Sequence, residues 1–71
     1  MIKSHRGPFS LAITRHVKGK PASQWLGREI DTEEVEEEAL SLLTDPRDTI
    51  AQVHVWSERE HQFVHCFRRE R

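Results

Sequence analysis

Candidate metal ligands are concentrated in one segment of this 71-residue chain, Val53 to Phe67, which holds three of its five histidines and its single cysteine. Imidazole and thiolate are ligands that zinc prefers, so His54, His61, His65 and Cys66 are the first candidates for a metal site. Their spacing argues against one, because histidines four residues apart converge on a helix but are separated on a strand by four steps of ~3.3 Å. We therefore predict no metal and no other cofactor, and we interpret Cys66 as a small, buried hydrophobic side chain.

The same segment is rich in aromatic side chains, since it contains Trp56, Phe63 and Phe67. Such rings stack on nucleic-acid bases or are buried in protein interfaces. A nucleic acid would need flanking basic residues, for which the candidates are Arg15, Lys18, Lys20, Arg59, Arg68, Arg69 and Arg71. However, 11 basic and 12 acidic residues give a net charge of −1, and no RNP-type run such as K-G-F-G-F is present. Binding of single-stranded nucleic acid is therefore the alternative interpretation, and binding of a protein is the favoured one.

No catalytic motif is present in the sequence. There is no glycine-rich phosphate loop, no G-x-S-x-G and no H-E-x-x-H. The nearest approach to a nucleophile with a base is Ser57 with His61, and this pair spans a polar segment that predicts an exposed turn. A sheet of this size also offers little concavity in which to shield a reaction from water. We expect a protein that is not an enzyme.

The composition predicts one small folded domain. A chain of this length supports a core worth roughly 3–5 kcal/mol of net stability. Its residues are 35% hydrophobic and 32% charged, but the hydrophobic ones recur periodically, as in folded proteins. A single cysteine cannot form an internal disulfide, the segment M-I-K-S-H-R-G-P lacks the apolar run of a signal peptide, and no stretch approaches ~20 apolar residues. We expect a cytoplasmic protein that does not bind membranes.

The elements that position these residues follow from the periodicity of the hydrophobic side chains. A basic arm, residues 1–8, precedes a single domain of residues 9–71. Alternation with a period of two from Phe9 to Val17 predicts the first strand. Turn-forming residues fill Lys18 to Ser23, and Gln24 to Ile30 predicts a second strand that returns along the first. Gly27 weakens this second strand.

A helix is predicted from Thr32 to Thr44. Its start is indicated by D-T-E-E, in which Asp31 and Glu34 have the spacing of a capping box. Its buried stripe is formed by Val35, Ala39, Leu42 and Leu43. Asp45-Pro46 ends it, because the residue before proline avoids helical geometry. Two further strands, Thr49 to Trp56 and His61 to Arg68, complete the order β-β-α-β-β. The sequence thus predicts a two-layer α+β fold with one helix on a four-stranded antiparallel sheet.

The last hairpin decides which side chains share a face. A four-residue connection, Ser57 to Glu60, would pair Trp56 with His61. One face would then carry small side chains suited to lie beneath the helix, namely Ala51, Val53, Val55, Val64 and Cys66. The other would carry Ile50, Gln52, His54, Trp56, His61, Phe63, His65 and Phe67. A slip of one residue would exchange the two sets. Trp25 is assigned to neither face, because it fits either one or the cover of a sheet edge.

The second face has the composition of an interaction surface, being too aromatic for a solvated face and too polar for a sealed core. Trp56, Phe63 and Phe67 are its predicted anchors, and the remaining partner-binding residues are Ile50, His54, His61 and His65. The predicted function is that of a non-enzymatic protein-interaction module, which binds either a foreign protein or its own copy.

The acidic run of the helix, Glu33 to Glu38, has two interpretations. It fits a solvated helix face whose charges lie near the positive end of the helix dipole. It also fits a negative patch that binds a basic partner, including a nucleic-acid-binding surface that it would block.

The segment G-R-E-I-D-T-E-E-V-E-E-E-A-L-S-L-L-T-D-P-R-D-T-I-A-Q-V-H-V-W, Gly27 to Trp56, resembles the strand–helix–strand unit of many small bacterial and bacteriophage proteins, particularly actinobacterial ones. The resemblance covers about half of the chain. It implies the β-β-α-β-β fold and, by a looser analogy, phage-encoded inhibitors such as some anti-CRISPR proteins, which occupy the surface of a host protein. It implies no role for any individual residue.

Overall fold

A computed structural model describes residues 4–46 and 49–69 of the chain. Its elements in chain order are β1 (Phe9–Val17), β2 (Lys20–Ile30), α1 (Thr32–Thr44), β3 (Ile50–Ser57) and β4 (Gln62–Arg68). The strands form one antiparallel sheet in the order β2-β1-β3-β4, and α1 packs on one face of it. The predicted two-layer α+β fold is confirmed. Within the described ranges, no helix is both long and apolar enough to cross a membrane.

The helix has the predicted bounds, but its N-terminus is held differently. The carbonyl oxygen of Asp31 accepts hydrogen bonds from the backbone N–H groups of Glu34 and Val35, both at 3.0 Å. The side chain of Asp31 makes no capping hydrogen bond, so the prediction of a capping box is wrong. The hydroxyl of Thr32 instead accepts a hydrogen bond from the backbone N–H of Gly7 at 3.2 Å. The start of the helix therefore serves to hold the segment before β1.

The first hairpin is tighter than the sequence predicts. Lys18 and Gly19 form a two-residue turn in which φ is positive at both positions, 54° and 79°. Two such residues are what a type I′ turn requires, and this turn matches the twist of the strands. Strand β2 consequently begins at Lys20 and contains Pro21, which is tolerated because β2 lies at an edge of the sheet. Further along β2, Gly27 has a φ of 79° where the pairing with β1 shifts register.

The core lies between the sheet and α1. The helix contributes Val35, Ala39 and Leu43, which are buried as predicted. The sheet contributes Phe9, Leu11, Ile13, Ile30, Ile50, Val53 and Val55, and the partly buried Leu26, Leu42, Val64 and Phe67 pack around this cluster. Phe9, Val35 and Val53 are fully inaccessible to solvent. Each strand thus contributes side chains to the core, with a period of two at Phe9, Leu11 and Ile13 and with interruptions where the pairing of the strands shifts register.

The register of the last hairpin differs from the prediction. Trp56 pairs with Phe63 instead of His61, and the pairing shifts by one residue between Val55 and Trp56. A bulge of this kind moves every later side chain of the strand to the other face. Phe67 accordingly pairs with the core residue Val53 and packs against the core. The expected assignment of β4 residues to faces is therefore correct for Phe63 and Val64 and wrong from His65 onwards.

A second irregularity changes the assignment of Ile50. The pairing of β1 with β3 shifts between Thr14 and Arg15, so that Arg15 pairs with Ile50 and Thr14 pairs with Gln52. Ile50 consequently points towards the helix and is fully buried. The prediction that Ile50 belongs to a partner-binding face is inconsistent with this position.

Candidate functional site

The sheet face opposite α1 is not covered by any described part of the chain. We call it the open face. Its side chains alternate along each strand with those of the core, and the residues that line it are Ser10, Ala12, Thr14, Ser23, Trp25, Gln52, His54, Trp56, Phe63, Cys66 and Arg68. Since α1 packs on the other face of the sheet, the open face has no second layer among the described residues, and it is therefore the candidate functional site.

Four rings from three strands meet at the centre of the open face. We call Trp25, His54, Trp56 and Phe63 the aromatic cluster. The Phe63 ring lies 5.0 Å from that of Trp56 and 6.0 Å from that of His54, both edge to face. Trp25 stacks on Phe63 at 5.9 Å and meets Trp56 edge to face at 6.3 Å. These separations are those at which aromatic pairs attract one another, so the rings hold each other in place.

Ala12 makes the aromatic cluster possible. Trp25 belongs to β2, but its partners Trp56 and Phe63 belong to β3 and β4, so its ring must pass over β1. Ala12 is the residue of β1 that pairs with Trp25, and it is only 7% exposed. Because its side chain is a single methyl group, the indole can lie across it. A larger residue there would lift Trp25 away from the other rings.

The aromatic cluster is ordered but not buried. Trp25 is 52% exposed and Phe63 is 53% exposed, whereas Trp56 and His54 are half-buried. A shallow groove lies on each side of Trp25. One of ≈ 540 Å³ is bordered by Ser10, Gly27, Arg28, Glu29, Trp56 and Glu58, and the other, of ≈ 480 Å³, by Ala12, Ser23, Gln24, His54 and Phe63. The surface thus offers a projecting ring between two concavities.

The residues predicted to bind a partner are only partly brought together. His54, Trp56 and Phe63 belong to the aromatic cluster. Phe67 and His65 lie on the helix side of the sheet, where their rings approach to 4.4 Å, so their assignment to the interaction face is wrong. His61 is exposed in the turn before β4, with a φ of 55°.

The sequence alone does not assign Trp25 to a face of the sheet. In the structure its ring belongs to the aromatic cluster, whereas the ring of Phe67 packs against the core. Two features of the sequence bear on its position. Gly27, two residues after Trp25, lies where the pairing of β2 with β1 shifts register, so alternation alone does not determine the face of Trp25. Ala12, a small residue in the middle of β1, is the sequence feature that is consistent with a large side chain lying above it.

Cys66 lies on the open face and not beneath the helix. It pairs with His54 and is half-exposed, so the interpretation of Cys66 as a buried core residue is wrong. The bulge in β4 is the physical reason, because it reverses the faces of His65 and Cys66. Among the residues that the structure describes, no three histidine, cysteine or acidic side chains are grouped closely enough to hold a metal ion. The absence of a cofactor remains a prediction.

Ser57 is fully buried and is fixed by two hydrogen bonds. Its hydroxyl donates to the carbonyl oxygen of Arg6 at 2.9 Å and accepts from the backbone N–H of Glu60 at 3.0 Å. The backbone N–H of His61 bonds to the carbonyl oxygen of Ser57, at 2.9 Å. The Ser57 side chain therefore joins the arm to the turn.

The described part of the arm, residues 4–8, is fastened to the same turn by charged groups; Met1 to Lys3 and Arg71 lie outside the described residues. The Nδ1 atom of His5 lies 3.0 Å from a carboxylate oxygen of Glu60. An ionised carboxylate can only accept, so Nδ1–H is the donor. This hydrogen bond is the main reason that the pKa of Glu60 lies below its usual value of 4.5, with a smaller contribution from the backbone N–H of Arg6.

The acidic surface of α1 forms a second, separate patch. Glu33, Glu36 and Glu37 border a groove of ≈ 560 Å³ together with Leu40, which is 44% exposed. Glu38 is held by an ion pair with Arg28 of β2. Both interpretations of the acidic run remain open.

Comparisons with protein-family models, with curated proteins and with solved structures found no match for this chain.

Proposed function

We propose that this chain is a small, non-enzymatic protein-interaction module that binds its partner through the open face. Trp25, Trp56 and Phe63 are the anchors. The observation that supports this proposal is the aromatic cluster, whose two outermost rings are each about half exposed on a sheet face without a second layer. Clustered, exposed aromatic rings bordered by polar residues are typical of protein interfaces.

The energetics favour a partner that covers these rings. Large aromatic side chains at the centre of an interface commonly contribute ~2 kcal/mol or more each when they become fully buried. The rings of the aromatic cluster already constrain one another through edge-to-face and stacked contacts, so little side-chain freedom remains to be lost on binding. The open face is thus organised before its partner arrives.

The charges beside the aromatic cluster favour a protein over a single-stranded nucleic acid. Glu29 and Glu58 border the larger groove next to Trp25 and Trp56, where a phosphate backbone would be repelled. Arg28, the basic side chain among the described residues that border this groove, is already paired with Glu38. Nucleic-acid binding through the same rings is the alternative that the experiment below must exclude.

The proposal extends to the setting in which the module acts. The resemblance of Gly27 to Trp56 to small bacterial and bacteriophage proteins supports a phage-encoded inhibitor that occupies a host protein in the cytoplasm. The Ser57 hydroxyl is buried and hydrogen-bonded to backbone groups, which supports a role other than catalysis, because the serine of the Ser57–His61 pair is then not free to act as a nucleophile.

The test is a comparison of Trp25→Ala with Leu40→Ala. Both remove a large, exposed hydrophobic side chain, but Leu40 lies on α1, away from the open face. Self-association is measured by sedimentation, and capture of proteins from a bacterial lysate is quantified by mass spectrometry. We expect that association with itself or with a captured protein falls at least tenfold in Trp25→Ala and is unchanged in Leu40→Ala.

Two results would contradict the proposal. One is that every association survives Trp25→Ala. The other is that a short single-stranded oligonucleotide binds the wild type through Trp25 with an affinity that falls steeply as salt rises, which is the behaviour of a surface that follows phosphates. Circular dichroism and thermal unfolding of both variants establish that they are folded.

A further inference from the structure

The open face carries opposite charges on the two sides of its central row. That row consists of the paired residues Ala12, His54 and Cys66. Ser10 lies two residues before Ala12 on β1. Its hydroxyl donates a hydrogen bond to the carboxylate of Glu58 at 2.6 Å, and Glu29 pairs with Ser10. On the other side of the row, Gln52 lies two residues before His54 on β3 and pairs with Arg68 of β4. One end of the face is therefore acidic and the other is basic.

This arrangement is complementary to itself. If two copies lie face to face about a two-fold axis that runs along the central row, each strand lies over the same strand of the other copy with its direction reversed. The acidic end of each copy is then placed over the basic end of its partner. Glu58 directly follows β3 with its carboxylate held by Ser10 of β1, and Arg68 lies on β4, so the long Arg68 side chain must extend across β3 to meet Glu58 of the other copy, and this contact forms twice in such a pair. The opposite orientation would place Glu58 against Glu58.

The apolar surface is also suited to a second copy. Trp25 projects between two grooves, so that in a two-fold pair each Trp25 can lie in a groove of the other copy. The molecule measures 35 × 19 × 19 Å along its principal axes, which gives the open face roughly 650 Å² and a face-to-face pair about 1,300 Å² in total, within the range of specific interfaces.

We infer that the occupant of the open face is a second copy of this chain, which forms a two-fold symmetric dimer with antiparallel strands and a four-layer α-β-β-α arrangement. This inference rests on the proposed function of the open face and specifies its partner. The aromatic clusters form the buried centre of the dimer, and the pairs between Glu58 and Arg68 fix its orientation.

The test uses two charge reversals, Glu58→Arg and Arg68→Glu, each examined alone and then mixed in equal amounts. Sedimentation equilibrium gives the dimer dissociation constant. Each variant alone should dimerise at least tenfold more weakly than the wild type, because like charges then meet at both contacts. The mixture should return to within about threefold of the wild type, since a pair of one copy of each restores both attractions. Glu37→Arg, an equal change of charge on the exposed surface of α1, should have no effect.

Other outcomes overturn the inference in distinguishable ways. A dimer that Trp25→Ala disrupts but neither charge reversal weakens uses the open face in another orientation and refutes the antiparallel pair. A wild type that stays monomeric at millimolar concentration, while a captured protein is lost in Trp25→Ala, refutes the second copy and leaves the proposed function intact. A monomer without any association that depends on Trp25 refutes both. Unchanged circular dichroism shows that each variant is folded.

Discussion

Ser57→Ala removes only one oxygen atom, but it should lower the free energy of unfolding by a large fraction. The hydroxyl is fully buried and joins the carbonyl oxygen of Arg6 to the backbone N–H of Glu60. Two neutral hydrogen bonds contribute about 0.5–1.5 kcal/mol each. Both residues that lose a partner are otherwise exposed, and water can partly replace the hydroxyl, so the lower half of the summed range applies, about 1–2 kcal/mol. This loss is a large part of the roughly 3–5 kcal/mol available to a domain of this size.

Urea unfolding followed by tryptophan fluorescence measures this loss. With a slope of about 1 kcal/mol per molar urea, the midpoint should fall by about 1–2 M while the slope stays constant. Ser41→Ala is the matched control, because it makes the same chemical change at an exposed position of α1 and should leave the midpoint within about 0.5 M. Amide exchange at Glu60 should accelerate in Ser57→Ala only. A midpoint shift below about 0.3 M, or equal shifts in the two variants, would refute the assignment of Ser57 as the link between arm and turn.

Three further predictions concern other parts of the structure. Because the folded-state pKa of Glu60 lies below 4.5, its hydrogen bond with His5 stabilises the fold above pH 4.5, and this stabilisation is lost as the pH falls through the folded-state pKa. Glu60→Gln should therefore reduce the loss of unfolding free energy at acidic pH, and an unchanged pH dependence would contradict this. Lys18→Asn should raise stability by about 0.5 kcal/mol in thermal unfolding, since asparagine tolerates positive φ; a loss of stability would speak against the turn geometry. Phe67→Ala should lower stability by about 2–3 kcal/mol and Phe63→Ala by about 1 kcal/mol, whereas equal losses would support the register expected from the sequence.

The helix and the first strand could be predicted from local pattern alone. Val35, Ala39 and Leu43 are spaced four residues apart, which places them on one face of a helix, and Pro46 determines where that helix ends. Phe9, Leu11 and Ile13 alternate with smaller side chains and all three are core residues of β1, which is paired on both sides; the alternation ends at Arg15, and Val17 is exposed. In both cases the core residues follow one local period, so no knowledge of distant pairing is needed.

The candidate site depended on features that no local pattern contains. The bulge opposite Val55 and Trp56 adds one residue to β4. Because hydrophobic and aromatic side chains occupy both sets of alternate positions in β4, its sequence fits either register equally well and does not reveal the bulge. The faces of His65, Cys66 and Phe67 were exchanged for this reason. Trp25 could not be assigned because its contacts lie on strands that it does not pair with, and only the small size of Ala12 indicates that it crosses between them.

The central position of β1 has a consequence for synthesis on the ribosome. Strand β1 pairs with β2, which follows it directly, and with β3. Strand β2 ends at Ile30 and strand β3 ends 27 residues later, at Ser57. At translation rates of about 5–20 residues per second, the first hairpin exists for roughly 1–5 s before its missing neighbour is complete. During that interval one edge of β1 has unpaired backbone groups, and Phe9, Leu11 and Ile13 have nothing to pack against except the forming helix. The nascent chain therefore passes through a state that other strands or chaperones can bind, before the mature fold covers that edge permanently.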